Sequence, residues 1–467
     1  MTSDVDLNPT LDKNKQEAVI IVIGAGLTGL TTAFALQRRG FKVLVLERSE
    51  HIGGQIQTFS EKGYTFESGP NTGVISYPEI AELFQQLNDC KLETACEAAK
   101  CRMIWKKGKF HPIPSGLFSA IFTPLFAFKD KINILGEPFR TKGINPNESV
   151  KDLTVRRLGR SFFQYAVDPF LSGVYAGDPT KLITRYALPK LYNLEQNYGS
   201  FIRGAVAKAR QPKTDRDKLA TKQVFSAHGG LSNLTNALAK RIGSEQIILG
   251  AEKITVKPDE GEWKVDYIDR ENKQQSLRCT KVISTVGAYS LEQLFPFLNK
   301  EQLEKITNLR YAPVVQVSVG IRNPSPKLRA AFGGLVPTCE KQPVLGILFP
   351  SDCFQNRAPK GCSLYSFFMG GIRHPEFVEM NNDELTHYVK ELLHTMLGFD
   401  RDVVPDIIQI FRHEKAIPQY EQSSGARFEA ITQLENEHPG LILAGNIIGG
   451  IGMADRIQQA YQIASRC

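Results

Sequence analysis

The first patterned stretch of the chain is Val19 to Ile23 (VIIVI), five consecutive apolar, β-branched residues without polar alternation. Such a run predicts a strand buried on both faces, as in a parallel sheet. Leu30, Ala33, Phe34 and Gln37 then recur at helical spacing, and Gly40 stands where that helix would end. Lys42 to Leu46 predicts the next strand and runs into Glu47. Tyr64 to Glu67, Val282 to Thr285 and, far downstream, Leu441 to Ala444 read as further short strands. The last of these precedes GNIIGGIG and a helix opening near Asp455. Strands alternating with helices predict an α/β protein.

The chemistry lies in the turn after the first strand. Gly24, Gly26 and Gly29 follow it at once, with Leu27 and Thr28 between the last two, and Glu47 lies 23 positions beyond Gly24. This order of strand, glycine turn, helix, strand and acidic residue is the dinucleotide-binding pattern. The first glycine permits the tight turn, the second lets backbone approach a pyrophosphate, and the third lets helix and strand pack closely. The phosphates lie against the free amides of the helix N-terminus. Glu47 accepts from a ribose hydroxyl, which favours an unphosphorylated ribose.

Composition narrows the classes without deciding among them. The 467 residues, 42% hydrophobic and 23% charged, describe an ordinary globular chain of about two to four domains. Fifty-seven Lys and Arg against 49 Asp and Glu leave +8, an excess that suits an anionic ligand or membrane surface. No nucleic-acid-binding signature accompanies that charge, so nucleic acid is not expected as a partner. Eight scattered cysteines without a C-x-x-C pair suggest neither a disulfide scaffold nor zinc, and no metal site is expected. Residues 1–18 are polar and lack the apolar core of a secretory signal, so a cytoplasmic location is expected. The longest apolar stretch, Leu117 to Phe128, contains Pro124 and is too short to span a bilayer. It reads either as an internal helical pair or as a segment lying on a membrane interface, with Lys129 and Lys131 on anionic headgroups.

Further pieces point to a family. Gly53-Gly54 follow Glu47 by a few residues, and YTFE leads into Gly69-Pro70. This resembles the extended dinucleotide motif of FAD-containing, amine-oxidase-like flavoproteins. In order along the chain, RRLG, GVYAGDP, FGGLVP, LGI and IPQY are similar to the oxygen-using protoporphyrinogen oxidase family, over essentially everything after residue 18. The resemblance implies a Rossmann-type FAD domain assembled from residues 19–85, 225–295 and 435–467. It also implies a mixed-sheet substrate domain from 86–105 and 296–434, and a mainly helical, membrane-associated 106–224 region. FAD contacts are implied at Gly24, Gly26, Leu27, Thr28, Gly29, Glu47, Arg48, Gly53, Gly54, Gln55, Gly69, Pro70, Lys253, Thr285, Gly445, Gly450, Met453, Ala454 and Asp455. Gln55 and Gln57 stand where relatives usually carry an arginine, and Lys253 where they often carry an apolar residue. Arg102 matches an arginine that pairs with a substrate propionate, a role that suits a planar guanidinium. Phe332, Leu335, Gly173 and Phe368 match positions around the tetrapyrrole.

The resemblance implies a six-electron oxidation of protoporphyrinogen IX to protoporphyrin IX, with hydride transfer to flavin. Oxygen, giving peroxide, or a quinone then reoxidises the cofactor. No catalytic acid or base is assigned. Alternatives are coproporphyrinogen III as substrate, or an amine oxidase or carotenoid desaturase of the same superfamily. A homodimer and a peripheral contact with the inner face of the cytoplasmic membrane are among the expected partners.

Overall fold

The computed structural model describes residues 19–115, 117–322 and 329–467. The polar tail at 1–18 lies outside them. Five sheets and a helical layer organise the rest. The nucleotide-type sheet has five strands in the order Ile247–Leu249, Lys42–Glu47, Val19–Ile23, Lys281–Ser284 and Leu441–Leu443, all parallel. Val19–Ile23 is central, which explains its unbroken apolar run: Ile20, Ile21 and Val22 are fully buried between layers on both faces. The Leu27–Gln37 and Met453–Arg466 helices cover one face, bringing the two ends of the chain together.

A seven-stranded, mostly antiparallel sheet runs Ile407–Pro418, Tyr311–Arg322, Cys362–Gly370, Gly346–Leu348, Gly333–Leu335, Arg102–Lys106 and Lys109–Pro112. A buried polar junction abuts the seven-stranded sheet, where Gln316 donates to Glu67 O (2.6 Å). Glu67 accepts from Thr58 Oγ1 (2.6 Å), from the Leu231 amide (2.9 Å) and from Arg357 Nη1 (3.3 Å). Arg357 also donates to Ser226 Oγ (2.9 Å).

Two expected boundaries do not follow the packing. Lys109–Pro112, assigned to the helical region, extends the substrate-side sheet by pairing with Arg102–Lys106. The Lys300–Thr307 helix, expected on the substrate side, and the Ser424–Glu437 helix, expected there as far as residue 434, bury Leu303, Ile306, Ile431 and Leu434 against Ile21, Leu46 and Val282 of the parallel sheet. Helical periodicity shows which face of these helices is apolar but not which sheet receives it.

The helical region is held by buried ion pairs. Arg157 and Glu195 are both fully buried and 2.8 Å apart; Glu137 adds a second carboxylate 3.2 Å from Arg157, and Arg156 bridges Glu148 and Glu195. Among the described residues no helix is long and apolar enough to cross a membrane. The Leu117–Phe128 stretch is not internal throughout: Leu125 and Phe126 are buried, whereas Ile121, Phe122 and Phe128 are exposed, Phe122 by 79%.

Arg157→Ala should cost about 3–5 kcal/mol of stability, because it leaves the fully buried Glu137 without its cation while Glu195 keeps only Arg156; calorimetry checks it. Burial raises the Glu195 carboxyl, but the Arg156 and Gly143 hydrogen bonds and the arginine charges outweigh burial and hold it below its ordinary 4.5. A depressed folded pKa stabilises above the unfolded value, and that contribution is lost as pH falls through and below 4.5. The Tm gap between the native protein and Glu195→Gln is therefore expected to narrow on acidification below that pH.

Candidate active site

The parallel sheet delivers its first strand into a turn shaped by missing β-carbons. Gly24 has φ +104°, and a β-carbon there would come within 2.8 Å of Thr285 Oγ1. Its amide donates to Leu46 O (2.8 Å). A β-carbon on Gly29 would overlap the Gly24 carbonyl. Gly26 is different, for nothing lies within 4 Å of where its β-carbon would be. Two glycines thus serve packing, and the third faces open space before the Leu27–Gln37 helix. The amides of Leu27, Thr28 and Gly29 have no intrahelical acceptors there. This arrangement fits a pyrophosphate.

A second loop lies on the same space. The Gly53 amide donates to Ala25 O (2.8 Å), Gly26 and Gly53 form an isolated bridge, and Gly54 stands 3.5 Å from Gly26 Cα by its β-carbon position. Glu47 accepts the Ala25 amide at Oε2 (2.6 Å) and the Ser49 amide at Oε1 (2.9 Å). Its carboxylate is fixed by backbone and retains lone pairs for ribose hydroxyls. Arg48 is exposed beside it. The Ala251 amide donates to Glu47 O (2.9 Å), which brings exposed Lys253, at φ +49°, two residues further on.

Thr285 joins the first glycine element to the last. Its hydroxyl donates to Ile23 O (3.0 Å), and a β-carbon on Gly445 would lie 2.5 Å from Thr285 O. Gly450 donates its amide to the buried Tyr420 hydroxyl (2.8 Å). Met453 and Ala454 open the C-terminal helix and are buried. Asp455 accepts the Gly452 amide (3.1 Å) and the Tyr77 hydroxyl (3.2 Å); burial and this carboxylate push Tyr77 up to about 12. The third segment, Gly69-Pro70-Asn71, packs Gly69 on Gln55 O, and a β-carbon on Gly73 would meet Met453 Cε at 3.0 Å. Gln55 itself donates to Lys415 O (3.3 Å), and Gln57 bonds the His51 ring (3.0 Å).

Two of the expected substrate-side residues, Leu335 and Phe368, fall in one row across the seven-stranded sheet. Strand register places Ile104 opposite Leu335, Leu335 opposite Gly346, Gly346 opposite Phe368 and Phe368 opposite Gln316. Directly paired residues share a face, so Leu335 and Phe368 flank the gap that Gly346 leaves. Gln316 ties this row to the cofactor-side segment: it donates to Glu67 O (2.6 Å) and accepts from Asn71 (3.2 Å). Gly173 comes from the Asp168–Tyr175 helix, and a β-carbon on it would lie 2.5 Å from Leu335 Cδ2. Arg102 lies outside the row, opposite Gly333 and two residues before Ile104, with its guanidinium 5.3 Å from the centre of the Phe332 ring. Among the described residues no carboxylate pairs with Arg102.

These contacts are joined by residues that the sequence reading did not single out. Asp168 accepts from the Thr338 amide (2.8 Å) and from Arg373 (3.0 Å), and Arg373 also reaches Asp178 (2.9 Å). This cluster fastens the GVYAGDP and FGGLVP segments to each other. The two aspartates, Asp168 at the start of the Asp168–Tyr175 helix and Asp178 just beyond its end, were the only local signal.

The flavin containing amine oxidoreductase family matches residues 27–467. The chain belongs to that family. It is a flavin-dependent oxidoreductase, and its cofactor is FAD. Protoporphyrinogen oxidase 2 of Arabidopsis thaliana is 27% identical over 95% of this chain and 92% of its own length. The chloroplastic protoporphyrinogen oxidase of Nicotiana tabacum is 29% identical over 95% and 84%. The human protoporphyrinogen oxidase is 27% identical over 95% and 97%. Among solved structures, a proposed protoporphyrinogen oxidase from Exiguobacterium sp. 255-15 superposes with a TM-score of 0.79 at 21% identity, covering 96% of this chain and 98% of that one. Cyclohexylamine oxidase from Brevibacterium oxydans gives 0.70 at 16% identity, with 96% and 98% covered. The fold is therefore that of the amine-oxidase-like flavoproteins.

Gly29→Val is expected to purify without the absorbance of bound flavin. Glu47→Gln should retain flavin but hold it about 1.5–3 kcal/mol more weakly. Equal flavin content and equal release on dilution in all three proteins would contradict these roles.

Proposed function

We propose that the protein oxidises protoporphyrinogen IX to protoporphyrin IX, with the macrocycle lying along the Leu335–Gly346–Phe368 row. The observation that carries this reading is the Arg102 guanidinium, without a carboxylate partner among the described residues, over the Phe332 ring and two residues along the strand from an apolar, glycine-gapped wall. A planar apolar ring fits the wall, and a peripheral carboxylate fits the guanidinium in its fixed plane. The similarity to protoporphyrinogen oxidases over nearly the whole chain supports the same substrate class.

The flavin, when bound, supplies the two-electron acceptor, and oxygen or a quinone would restore it. The chain's own part is orientation and exclusion. Gly173 and Leu335 press the wall from the helical side, while Gln316 and Asn71 hold it against the Gly69–Asn71 segment. The groups on that row are apolar or amide, so protons leaving the macrocycle pass to solvent.

Coproporphyrinogen, with four propionates against two, would need more free cations. Two of the nearby ones are engaged. Arg373 is held by Asp168 and Asp178, and Lys106 donates to Pro124 O and Leu125 O (2.8 Å each) over the Tyr165 ring. This favours the dicarboxylate.

We further propose that the protein rests on a bilayer surface through Ile121, Phe122, Phe128, Ile132, Leu135 and Phe139, all exposed, the last by 83%. Lys129 is exposed beside them and can face anionic headgroups. Lys131 is turned inward onto Ile121 O (2.6 Å) and Thr123 O (2.7 Å), so it fastens the segment instead.

Anaerobic addition of protoporphyrinogen IX should bleach the flavin faster than coproporphyrinogen III; the reverse preference would overturn the substrate assignment. Arg102→Ala should raise KM by about 10- to 100-fold, the worth of a charged hydrogen bond, at unchanged flavin content. Phe122→Glu with Phe139→Glu is expected to abolish sedimentation with anionic vesicles while activity on detergent-solubilised substrate persists.

A further inference from the structure

Two arginines that play no part in the substrate wall are buried beneath the loop between Leu441–Leu443 and the C-terminal helix. Arg456 is 7% exposed and donates to Gly445 O, to Ile448 O (3.0 Å) and to Gln459 Oε1 (2.9 Å). Gln459 reinforces the same loop by accepting the Gly445 amide (3.0 Å) and donating to Ile448 O (2.9 Å). Arg427 is 1% exposed and donates through Nε to Ile447 O (3.0 Å), between the rings of Tyr420 (5.3 Å) and Phe428 (5.0 Å).

What sets the pair apart is the absence of a counter-ion. Among the described residues, every other fully buried arginine has a carboxylate: Arg157 has Glu137 and Glu195, and Arg357 has Glu67. Neither Arg427 nor Arg456 has one within ion-pair distance. Asp455, the neighbouring carboxylate, is turned to the Gly452 amide and the Tyr77 hydroxyl. An uncompensated buried cation is costly. Burial indeed draws both guanidiniums below their ordinary value, but an arginine remains charged in a protein. Two cations against one carboxylate therefore lie under the loop whose Gly445, Gly450 and helix N-terminus fit the cofactor, and the helix dipole adds to the same sign.

We propose that Arg456, assisted by Arg427, is a positioning residue that stabilises the reduced cofactor by holding a positive field at the 445–452 loop. The electron balance shows why the charge matters. A hydride leaving a carbon of the substrate carries two electrons and one proton to the flavin, which then bears one negative charge more than before. The substrate's compensating proton goes to solvent. A fixed cation nearby favours the more negative member of that couple and raises its reduction potential. Removing the orphan charge while keeping a hydrogen-bond donor separates this role from loop-holding. The inference rests on the flavin of the family and not on the identity of the donor molecule.

The test is the flavin midpoint potential of the holoenzyme, titrated against reference dyes, for the native protein, Arg456→Gln and Arg456→Lys. Arg456→Gln should retain flavin and shift the reduced-to-oxidised ratio about tenfold toward oxidised at a given potential, which is about 30 mV for two electrons. Arg456→Lys, which keeps the charge and loses the fork, should stay close to the native value. An unchanged potential in Arg456→Gln with flavin bound overturns the proposal. So does loss of flavin from both variants with a native potential in what remains, since that would make the residue a loop support only. A second measurement needs no variant. Sulfite, an anion that adds to oxidised flavin where the surroundings are positive, should bleach the visible flavin band of the native holoenzyme; a band untouched by sulfite overturns the proposal even if Arg456→Gln does not fold. Neither readout uses a porphyrinogen, so failure of the substrate reading would leave both interpretable.

Discussion

The geometry of the site depends on one steric constraint: three chain segments must meet around Thr285 without a β-carbon between them. Its hydroxyl is bonded to Ile23 O, Gly24 leaves no room for a side chain above it, and Gly445 approaches its carbonyl from the other side. Residues 24, 285 and 445 are remote in sequence, yet the parallel order of their strands makes them neighbours. A cofactor cradle assembled this way is rigid, since each glycine is placed by a close contact. Only Gly26, with open space before it, is left for the ligand.

A second requirement joins the cradle to the wall opposite. Glu67, Arg357, Gln316 and Asn71 are polar groups in an otherwise apolar junction, and each must find partners because an unpaired buried group costs about 1–3 kcal/mol. Their partners lie on different elements: Thr58 and Leu231 on the cofactor side, Ser226 on a third sheet, and Gln316 within the seven-stranded sheet. Satisfying them fixes the distance between the Gly69–Asn71 segment and the Leu335–Phe368 row. The specificity of this arrangement comes from polar satisfaction, while burial of apolar strands supplies the stability on either side.

The first segment of the cradle was legible in the sequence because its logic is local. An apolar run, a glycine turn, a helical period and Glu47 occupy fewer than thirty consecutive residues, and the fold places them as that pattern dictates. The wall was legible only by resemblance. Leu335, Gly346 and Phe368 become neighbours through strand register, and register is set by pairing partners that no single segment encodes. The two boundary differences have a similar origin: Lys300–Thr307 and Ser424–Glu437 advertise an apolar face, but the choice of sheet is made by tertiary packing. Arg427 and Arg456 were unreadable for the opposite reason, because a lone arginine in a helix has the same local signature whether solvated or buried.

The helical layer shows how closely the outer and inner surfaces are coupled. Within one short stretch, Ile121, Phe122 and Phe128 face outward, while Leu125 and Phe126 turn inward into a cluster with Ile104, Phe162 and Leu335. Phe126 stacks on Phe162 with ring centres 3.8 Å apart. The exposed apolar residues and the Leu335 end of the Leu335–Phe368 row are thus linked through one short stretch of chain. Lysines 106 and 131 donate to backbone carbonyls at 121–125, so the layer is held by its backbone and not by long side chains that would have to order first. An apolar macrocycle dissolved at a bilayer surface would meet the wall across this layer without passing through bulk water. Under the proposed function, the cost of desolvating the substrate would then fall at the membrane, before binding, and Arg102 would recognise the one part of the molecule that remains hydrated.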